Sequence, residues 1–268
     1  MDFVKAQAYG NDFLMMTSAS VADCRDLPEL ARQVCDRHRG IGADGLMIVT
    51  GLPDAVGMRL FNADGSHSEL SGNGIRCLAA WIARKRNDSA GATVEIQTEA
   101  GLKALELLEI SAPRYRFRAS MGQPEGIRQE TLTVAGETVT AVVLRVGNPQ
   151  CVVLGPVTRT RLETIAAALA VHPFFPEGTN VELASVEAPD RVRILIWERG
   201  VGPTEASGTG ACAAAVAAAS FGGASRAIDV VSPGGTQRVE WTERGIWLTG
   251  WAEIVATGEW HPPSARID

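Results

Sequence analysis

The sequence of 268 residues predicts an α+β fold built from two similar halves. Short β-rich segments are interspersed with a few alanine-rich helical segments, without the regular strand–helix alternation of a doubly wound sheet. A set of polar loops in the first half also recurs in the second half, in the same order. The composition agrees with a folded domain of this size, since 46% of the residues are hydrophobic and 21% are charged.

The predicted helices and strands follow from the pattern of apolar and polar residues and from residues that end helices. Several segments alternate apolar and polar residues, as half-buried strands do. The predicted strands are Leu46–Thr50, Thr93–Thr98, Tyr115–Ala119, Thr138–Val146, Cys151–Leu154, Val192–Glu198 and Gly245–Thr249. The predicted helices are Leu27–Arg37, Gly74–Lys85, Arg161–Ala170 and Gly210–Phe221, and Gly222-Gly223 ends the last of them.

The internal repeat is the most informative feature of the chain. Ser71-Gly72-Asn73-Gly74 opens one predicted helix and Ser207-Gly208-Thr209-Gly210 opens another, 136 positions later (207 − 71 = 136). The same offset relates Asn62 to Glu198 and Asp44 to Asn180, and an offset of 137 relates Asn11 to Asn148 (148 − 11 = 137). We therefore expect two halves with the same polar loops around one central helix each, and a ligand site in the cleft between them.

The composition excludes several classes of protein. A net charge of −6 argues against a nucleic-acid partner. The N-terminus has no basic segment followed by an apolar run, and no apolar stretch reaches membrane-spanning length, so no membrane association is expected. Five widely spaced cysteines without a C-x-x-C pair argue against disulfides and against a structural metal site. A cytoplasmic protein with reduced thiols is expected.

Each Ser-Gly-x-Gly segment lies just before an apolar helix, and two interpretations stay open. Ser71 and Ser207 can be ordinary N-caps, since serine is strongly preferred at that position. Alternatively, the glycines let a ligand approach closely, and the N–H groups and dipole of a helix start suit a carboxylate. For one segment alone the cap is the better interpretation, but the pairing of the two favours a ligand site.

Longer motifs that contain these residues resemble those of diaminopimelate epimerase over essentially the whole chain. They are Gly10-Asn11-Asp12-Phe13, Asp36-Arg37-His38-Arg39-Gly40-Ile41-Gly42-Ala43-Asp44-Gly45, Phe61-Asn62-Ala63-Asp64-Gly65-Ser66, Gly72-Asn73-Gly74-Ile75-Arg76-Cys77, Gly147-Asn148-Pro149, Glu198-Arg199-Gly200-Val201-Gly202 and Gly208-Thr209-Gly210-Ala211-Cys212. The resemblance implies two pseudo-symmetric domains, each a curved, mostly antiparallel sheet wrapped around a central helix. We expect the first to cover residues 1–116, with 255–268 returning to it, and the second to cover residues 117–254.

The resemblance also implies a reaction, which is the inversion of an amino-acid α-carbon by two opposed bases without a cofactor. The substrate implied is an amino acid like diaminopimelate, converted from the LL to the meso form, and a homodimer is compatible with it. The α-carboxylate would be held by the backbone of Gly72, Asn73, Gly208 and Thr209. The distant amino-acid end would be held by Asn62, Asn148, Asn180 and Arg199, with Asn11 close by.

Four positions depart from the family pattern or bear directly on the chemistry. Ser71 and Ser207 stand where the family has its two cysteine bases, and Gln150 stands where it usually has histidine. Glu198, which by the resemblance assists the second of the two cysteine bases, is kept. A thiol has a reference pKa near 8.5 that a helix start lowers, whereas a serine hydroxyl needs an adjacent base. The resemblance therefore predicts an impaired or altered epimerase, with Ser71, Ser207 and Glu198 as its catalytic residues.

No other residue is expected to replace the missing thiols. Cys77 and Cys212 lie five or six positions after the serines, which at 3.6 residues per turn directs them into the surroundings of the helix, so both are expected in the core. Arg76 and Arg199 can each be surface charges, and Arg199 is the better ligand candidate. The histidines show no pairing typical of a triad or a metal site.

Three functions stay open, in this order. The first is an epimerase of the diaminopimelate type. The second is a diverged isomerase or lyase with one-sided chemistry, in which Glu198 assists Ser207 or Ser71. The third is a non-catalytic amino-acid-binding homologue that keeps the carboxylate-binding site but has lost the catalytic bases.

Overall fold

The computed structural model describes residues 1–68, 71–99 and 101–262. The chain divides into two compact units, Met1–Phe117 together with the C-terminal segment from Trp251, and Arg118–Gly250. Residues 263–268, the last part of the segment expected to return to the first half, lie outside the described residues. In the described ranges, no helix is both long and apolar enough to cross a membrane.

The first unit surrounds one long helix with strands. Its elements are β1 (Asp2–Ala8), β2 (Asn11–Thr17), α1 (Leu27–Cys35), β3 (Gly45–Thr50), β4 (Gly57–Asn62), β5 (His67–Ser68), α2 (Gly72–Arg86), β6 (Thr93–Thr98), β7 (Gly101–Ser111) and the first part of β8 (Arg114–Gly122). Strand pairs β1–β2, β3–β4 and β6–β7 are antiparallel, and β2–β3 is parallel. Helix α2 packs against β1, β2 and β6 and is buried continuously from Asn73 to Ala83.

The second unit has the same plan. Its elements are β9 (Glu125–Val134), β10 (Glu137–Val146), β11 (Asn148–Leu154), α3 (Arg159–Arg161), a π-helical turn (Leu162–Ala166), α4 (Ala167–Ala170), β12 (Asn180–Ala188), β13 (Arg191–Glu198), β14 (Gly202–Thr204), α5 (Gly208–Phe221), β15 (Ala227–Ser232), β16 (Gly235–Thr242) and the first part of β17 (Gly245–Glu259). Strand pairs β9–β10, β10–β11 and β12–β13 are antiparallel, and β11–β12 is parallel.

Helix α5 is the centre of the second unit's core. It is apolar on all sides, as a helix enclosed by other elements must be. Its buried alanines, with Val216, pack against apolar side chains from β10, β11, β12, β13, β15, β16 and β17. A sheet that contributes so many strands to the surroundings of one helix wraps around it, which confirms the predicted α+β plan of a sheet around a central helix.

Strand register relates the two units residue by residue. In the first unit Phe13 pairs with Gly45 and Met15 with Met47, and in the second Gln150 pairs with Asn180 and Val152 with Glu182. Asn180 therefore corresponds to Gly45, and not to Asp44 as a constant offset of 136 predicts. The offset is wrong by one residue here because the segments between the paired strands differ in length.

The predicted helices and strands are all present, with ends that differ by a few residues. The segment predicted as Arg161–Ala170 begins at Arg159 and contains the π-helical turn. Strand β2 was not predicted because it is an apolar run without alternation and is buried on both faces, so it lacks the period-2 signal. Strand β12 was not predicted either. It carries Glu182, Ser185 and Glu187 among its apolar residues, and only its first five residues are buried.

Candidate active site

Ser71 and Ser207 begin the two central helices as N-caps. Each has an extended backbone conformation, and each Oγ accepts a hydrogen bond from the backbone N–H three residues later, Gly74 or Gly210, at 3.1 Å. The N-cap interpretation of both serines is thus confirmed. It does not exclude a role in ligand binding, because the same helix starts present positive potential to an anion.

The glycine at the third helical position of each motif allows close packing. A Cβ on Gly74 would collide with the Met47 side chain, and a Cβ on Gly210 would lie 2.5 Å from Glu182 Oε1. In both cases the capping serine's Cβ lies 3.1 Å from that point. The glycines therefore let a side chain from β3 or β12 approach the helix start beside the serine.

In the first unit, Asn73 links the start of helix α2 to the start of β2. Asn73 is buried, and its Nδ2 donates a hydrogen bond to Asn11 Oδ1 at 3.3 Å. Asn11 Nδ2 in turn donates to Asp44 Oδ2 at 2.7 Å. Arg76, only 1% exposed, donates to Asn73 Oδ1. Of the two interpretations, the surface charge does not hold for Arg76, because its guanidinium lies over the Tyr9 ring and supports Asn73 from within the core.

A cluster of charged side chains next to Asn11 and Asp44 supports the link from Asn73 to these residues. Asp12 receives hydrogen bonds from Arg37 at 2.8 Å and forms an ion pair with Lys5 at 3.0 Å. Arg37 also contacts Asp44 at 2.8 Å. Burial alone would raise the pKa of Asp12, but the hydrogen bonds from Arg37 and Lys5 outweigh it and hold the pKa below its usual value. Asp12 is thus a charged anchor that holds the start of β2, with Asn11, against the segment before β3, with Asp44.

In the second unit, the predicted binding residues form two short links. Gln150 is wholly buried, and its Nε2 donates a hydrogen bond to Asn148 Oδ1 at 2.6 Å. Asn180 accepts a hydrogen bond from the backbone N–H of Arg199 at 2.9 Å. The Arg199 guanidinium donates to the carbonyl of Glu177 at 2.7 Å. Near the α5 start, Ser207 Oγ and Thr209 Oγ1 lie 3.4 Å apart.

The remaining predicted residues lie at the ends of strands or at the starts of the two central helices. Asn62 ends β4, is exposed, and its side chain donates to Ser66 Oγ at 2.9 Å within its own turn. Glu198 ends β13 and is half-buried. Gly72 and Gly208 are the first residues of α2 and α5. The structure thus brings together Asn11 with Asn73, Asn148 with Gln150, and Asn180 with Arg199.

Four of the five cysteines are buried and Cys24 is partly exposed. Cys77 and Cys212 are both fully buried in the core, as predicted. Burial raises the pKa of Cys77 to about 12, which leaves its thiol protonated at neutral pH. Within the described residues, no group of three or more His, Cys, Asp or Glu side chains could hold a metal ion.

The main residue that sequence reasoning missed is Glu182. It lies in β12, is 0% exposed, and burial followed by the negative charge of Glu198 raises its pKa well above its usual value. An acidic residue between Val181 and Leu183 in an apolar run was the available signal, since carboxyl groups are rarely buried without a purpose.

Comparison with known proteins identifies the relatives of this chain. The family model described as "Diaminopimelate epimerase" matches residues 3–126 and 142–259. A diaminopimelate epimerase from Desulforudis audaxviator is 40% identical over 279 residues, which cover 97% of this chain and 99% of the relative. One from Microcystis aeruginosa is 40% identical over 281 residues, covering 96% of this chain and 97% of the relative.

Solved structures show the same fold at low sequence identity. A predicted epimerase from Pseudomonas aeruginosa superimposes with a TM-score of 0.73 at 15% identity, over 97% of this chain and 98% of the other. A hydroxyproline epimerase from Agrobacterium vitis gives a TM-score of 0.67 at 13% identity, over 96% and 90%. The fold is therefore that of the two-unit epimerase-like proteins. Within them, the chain belongs to the diaminopimelate epimerase family.

Proposed function

We propose that this protein is an amino-acid isomerase that converts LL-diaminopimelate to the meso form without a cofactor. The observation that carries the proposal is the match to the diaminopimelate epimerase family over residues 3–126 and 142–259, and the relative that is 40% identical over 97% of this chain. The geometry is compatible with it, because each unit offers one glycine-rich helix start capped by a serine.

The binding roles follow from the chemistry of each group. The helix starts at Gly72-Asn73 and Gly208-Thr209 present backbone N–H groups and dipole potential that favour an α-carboxylate. The side chains of Asn62, Asn148, Asn180 and Arg199, with Asn11, would bind the distant amino and carboxylate groups by directional hydrogen bonds. The links Asn11–Asn73, Gln150–Asn148 and Asn180–Arg199 would orient these groups before substrate arrives.

The proton transfers are assigned to Ser71 and Ser207, with Glu198 as the assisting base. Inversion needs one group to remove the α-proton and a second to deliver a proton to the opposite face of the carbon. A serine hydroxyl is a weak acid and needs an adjacent base, which Glu198 can supply for one serine. Gln150 cannot act as a base. We therefore expect epimerisation to be slower than in relatives that have thiols at both positions.

A one-base isomerase is the second candidate, and one observation favours it. The second unit places two carboxyl groups, Glu182 and Glu198, around the α5 start, whereas the first unit places Met47 at the position of Glu182. Acid–base groups at one helix start suit a reaction in which the α-proton is removed by one base and a double bond then shifts or a group leaves.

Solvent exchange separates these candidates. The purified protein is incubated in deuterated water with LL- or meso-diaminopimelate, and α-deuterium is followed by NMR. Exchange with inversion is the expected result. Exchange without inversion supports the one-base isomerase, and calorimetric binding without any exchange supports a non-catalytic binding homologue. Homodimerisation and a cytoplasmic location stay predictions from the sequence.

A further inference from the structure

Glu182 is a buried carboxyl group next to a proposed catalytic serine. It lies in the middle of β12 with no solvent exposure. Its Oε1 lies 2.5 Å from the point that a Cβ on Gly210 would occupy, and Ser207 Cβ lies 3.1 Å from the same point. The carboxyl group therefore packs against the first turn of α5 beside Ser207, and glycine at position 210 is what makes room for it.

Glu198 approaches the same place from the neighbouring strand. In the antiparallel pairing of β12 with β13, Glu182 lies opposite Ile196, two residues before Glu198. Residues two apart share a face of the sheet, and diagonal neighbours are about 7–8 Å apart, within reach of long side chains. Ile196 packs in the core around α5, so Glu198 lies on the α5 side as well.

The surroundings favour the neutral form of Glu182. Burial, and then the negative charge of Glu198, raise the pKa of Glu182 well above its usual value. The other groups to be considered are the thiol of Cys151 on β11, whose pKa burial also raises, the thiol of Cys212 on α5, and the neutral amide of Gln150. A carboxylic acid in such a place keeps its proton and can donate it in a hydrogen bond.

The first unit has a different side chain at the corresponding position. Strand register equates Glu182 with Met47, and each lies against the glycine at the third position of its central helix. The thioether of Met47 neither titrates nor donates a hydrogen bond. The two helix starts therefore have the same backbone conformation and the same serine cap. They differ in the side chain that packs beside the serine, which is Met47 in the first unit and Glu182 in the second.

We propose that Glu182 is a positioning residue for proton transfer at Ser207, a neutral carboxylic acid that shares its proton with the Glu198 carboxylate and holds it beside the Ser207 hydroxyl. The inference rests on the proposed function, because it gives Ser207, but not Ser71, a carboxylic acid that supports proton transfer in the proposed reaction. Its tests do not depend on turnover.

The first test asks whether Glu182 is neutral in the folded protein. An unfolded glutamate ionises near pH ~4.3, so a buried neutral Glu182 makes folding less favourable as the pH rises above that value. Glu182→Gln cannot ionise. We expect its urea midpoint to exceed that of the unaltered chain by an amount that widens from about pH 4.5 to about pH 7. A difference that stays constant over this range would show an ordinary, ionised glutamate and overturn the proposal.

The second test asks whether Glu182 acts on the group at position 207. A thiol placed there by Ser207→Cys reports its own pKa through the pH dependence of iodoacetamide alkylation, followed on the peptide by mass spectrometry. Adding Glu182→Gln, which keeps a hydrogen-bond donor, should leave this pKa within about 0.3 units. Adding Glu182→Met, which leaves the Glu198 charge without that donor, should raise it by about 1 unit, the usual effect of a nearby like charge.

The outcomes of the second test are distinct. If Glu182→Gln lowers the thiol pKa by a unit or more, Glu182 is ionised, and if Glu182→Met has no more effect than Glu182→Gln, it does not act through Glu198. Either result overturns the proposal. The matched control is Ser71→Cys with the same Glu182 variants, whose thiol pKa should not change. Absence of α-deuterium exchange would instead count against the proposed function and leave these two readouts standing.

Discussion

Gln150 donates a hydrogen bond from its side-chain amide to the side-chain oxygen of Asn148, across 2.6 Å. Gln150 is wholly buried, at a position where the family resemblance predicts histidine. It is a neutral donor that orients the Asn148 amide, for which we propose a role in substrate binding. We therefore propose that Gln150 contributes to binding and not to proton transfer.

Removing this donor should weaken substrate binding. Gln150→Leu loses one hydrogen bond worth about 1 kcal/mol, which corresponds to roughly a fivefold higher Kd for diaminopimelate. Isothermal titration calorimetry measures the change. Gln150→His, which keeps a ring N–H donor, serves as the control and should bind more tightly than Gln150→Leu. Equal affinity of Gln150→Leu and the unaltered chain would contradict the assignment.

Restoring thiols at the helix starts should raise epimerisation. With Ser71→Cys and Ser207→Cys together, the bases become thiols whose pKa a helix start lowers towards neutrality. We expect the rate of α-deuterium incorporation with inversion to increase by at least about 100-fold, the usual lower value for a well-placed acid–base group. Either single change should give much less, because inversion needs both groups. A folded double variant at the background rate would count against the epimerase assignment.

Asn73 should be important for stability as well as for binding. Asn73→Ala deprives the buried Arg76 guanidinium of an acceptor, and a hydrogen bond to a charged group contributes about 2 kcal/mol. The free energy of unfolding, measured by urea denaturation, should fall by about that amount. Asn73→Asp keeps an accepting oxygen and should lose clearly less. If the two variants are equally unstable, Arg76 does not depend on this acceptor.

The anchor at Asp12 should show a definite pH dependence. Its pKa in the folded protein is below the unfolded value because of Arg37 and Lys5, so its contribution is present above about pH 4 and is lost as the pH falls through the lower, folded value. Asp12→Asn should therefore reduce the free energy of unfolding near pH 7 by about 2 kcal/mol and by much less near pH 2. Glu29→Gln, at an exposed pair with Arg32, is the control and should change little. A loss from Asp12→Asn that is the same at both pH values would argue against an ionised anchor.

The sequence was sufficient for the plan of the fold and for part of the site. Helix α5 was predictable because an alanine-rich run follows Ser207-Gly208, and its serine cap lies where expected. The contact of Asn11 with Asn73 joins residues far apart in the chain, so local pattern could not reveal it. The burial of Arg76 escaped prediction for a related reason, since a charged side chain is buried only when distant segments supply its partners.

Glu182 is a second residue whose contacts local sequence pattern could not reveal. An acid in an apolar strand was visible, but its position against Gly210 depends on the register between β11, β12 and β13 and on the path of α5. The serines themselves illustrate the reverse case. Their identity is plain in the sequence, while their hydrogen bonds to Gly74 and Gly210 define what each oxygen already does.

Those two hydrogen bonds couple the stability of the central helices to the proposed reactivity of the two serines. Serine is among the best N-caps, worth about 1 kcal/mol over alanine at each helix start, and both central helices are enclosed by the cores of their units. The oxygen that would have to gain negative charge during proton transfer is therefore also the oxygen that fastens the first turn. The family resemblance predicts thiols at these two positions, so we expect the two hydroxyls to favour stability of the helix starts over reactivity at the proposed catalytic positions.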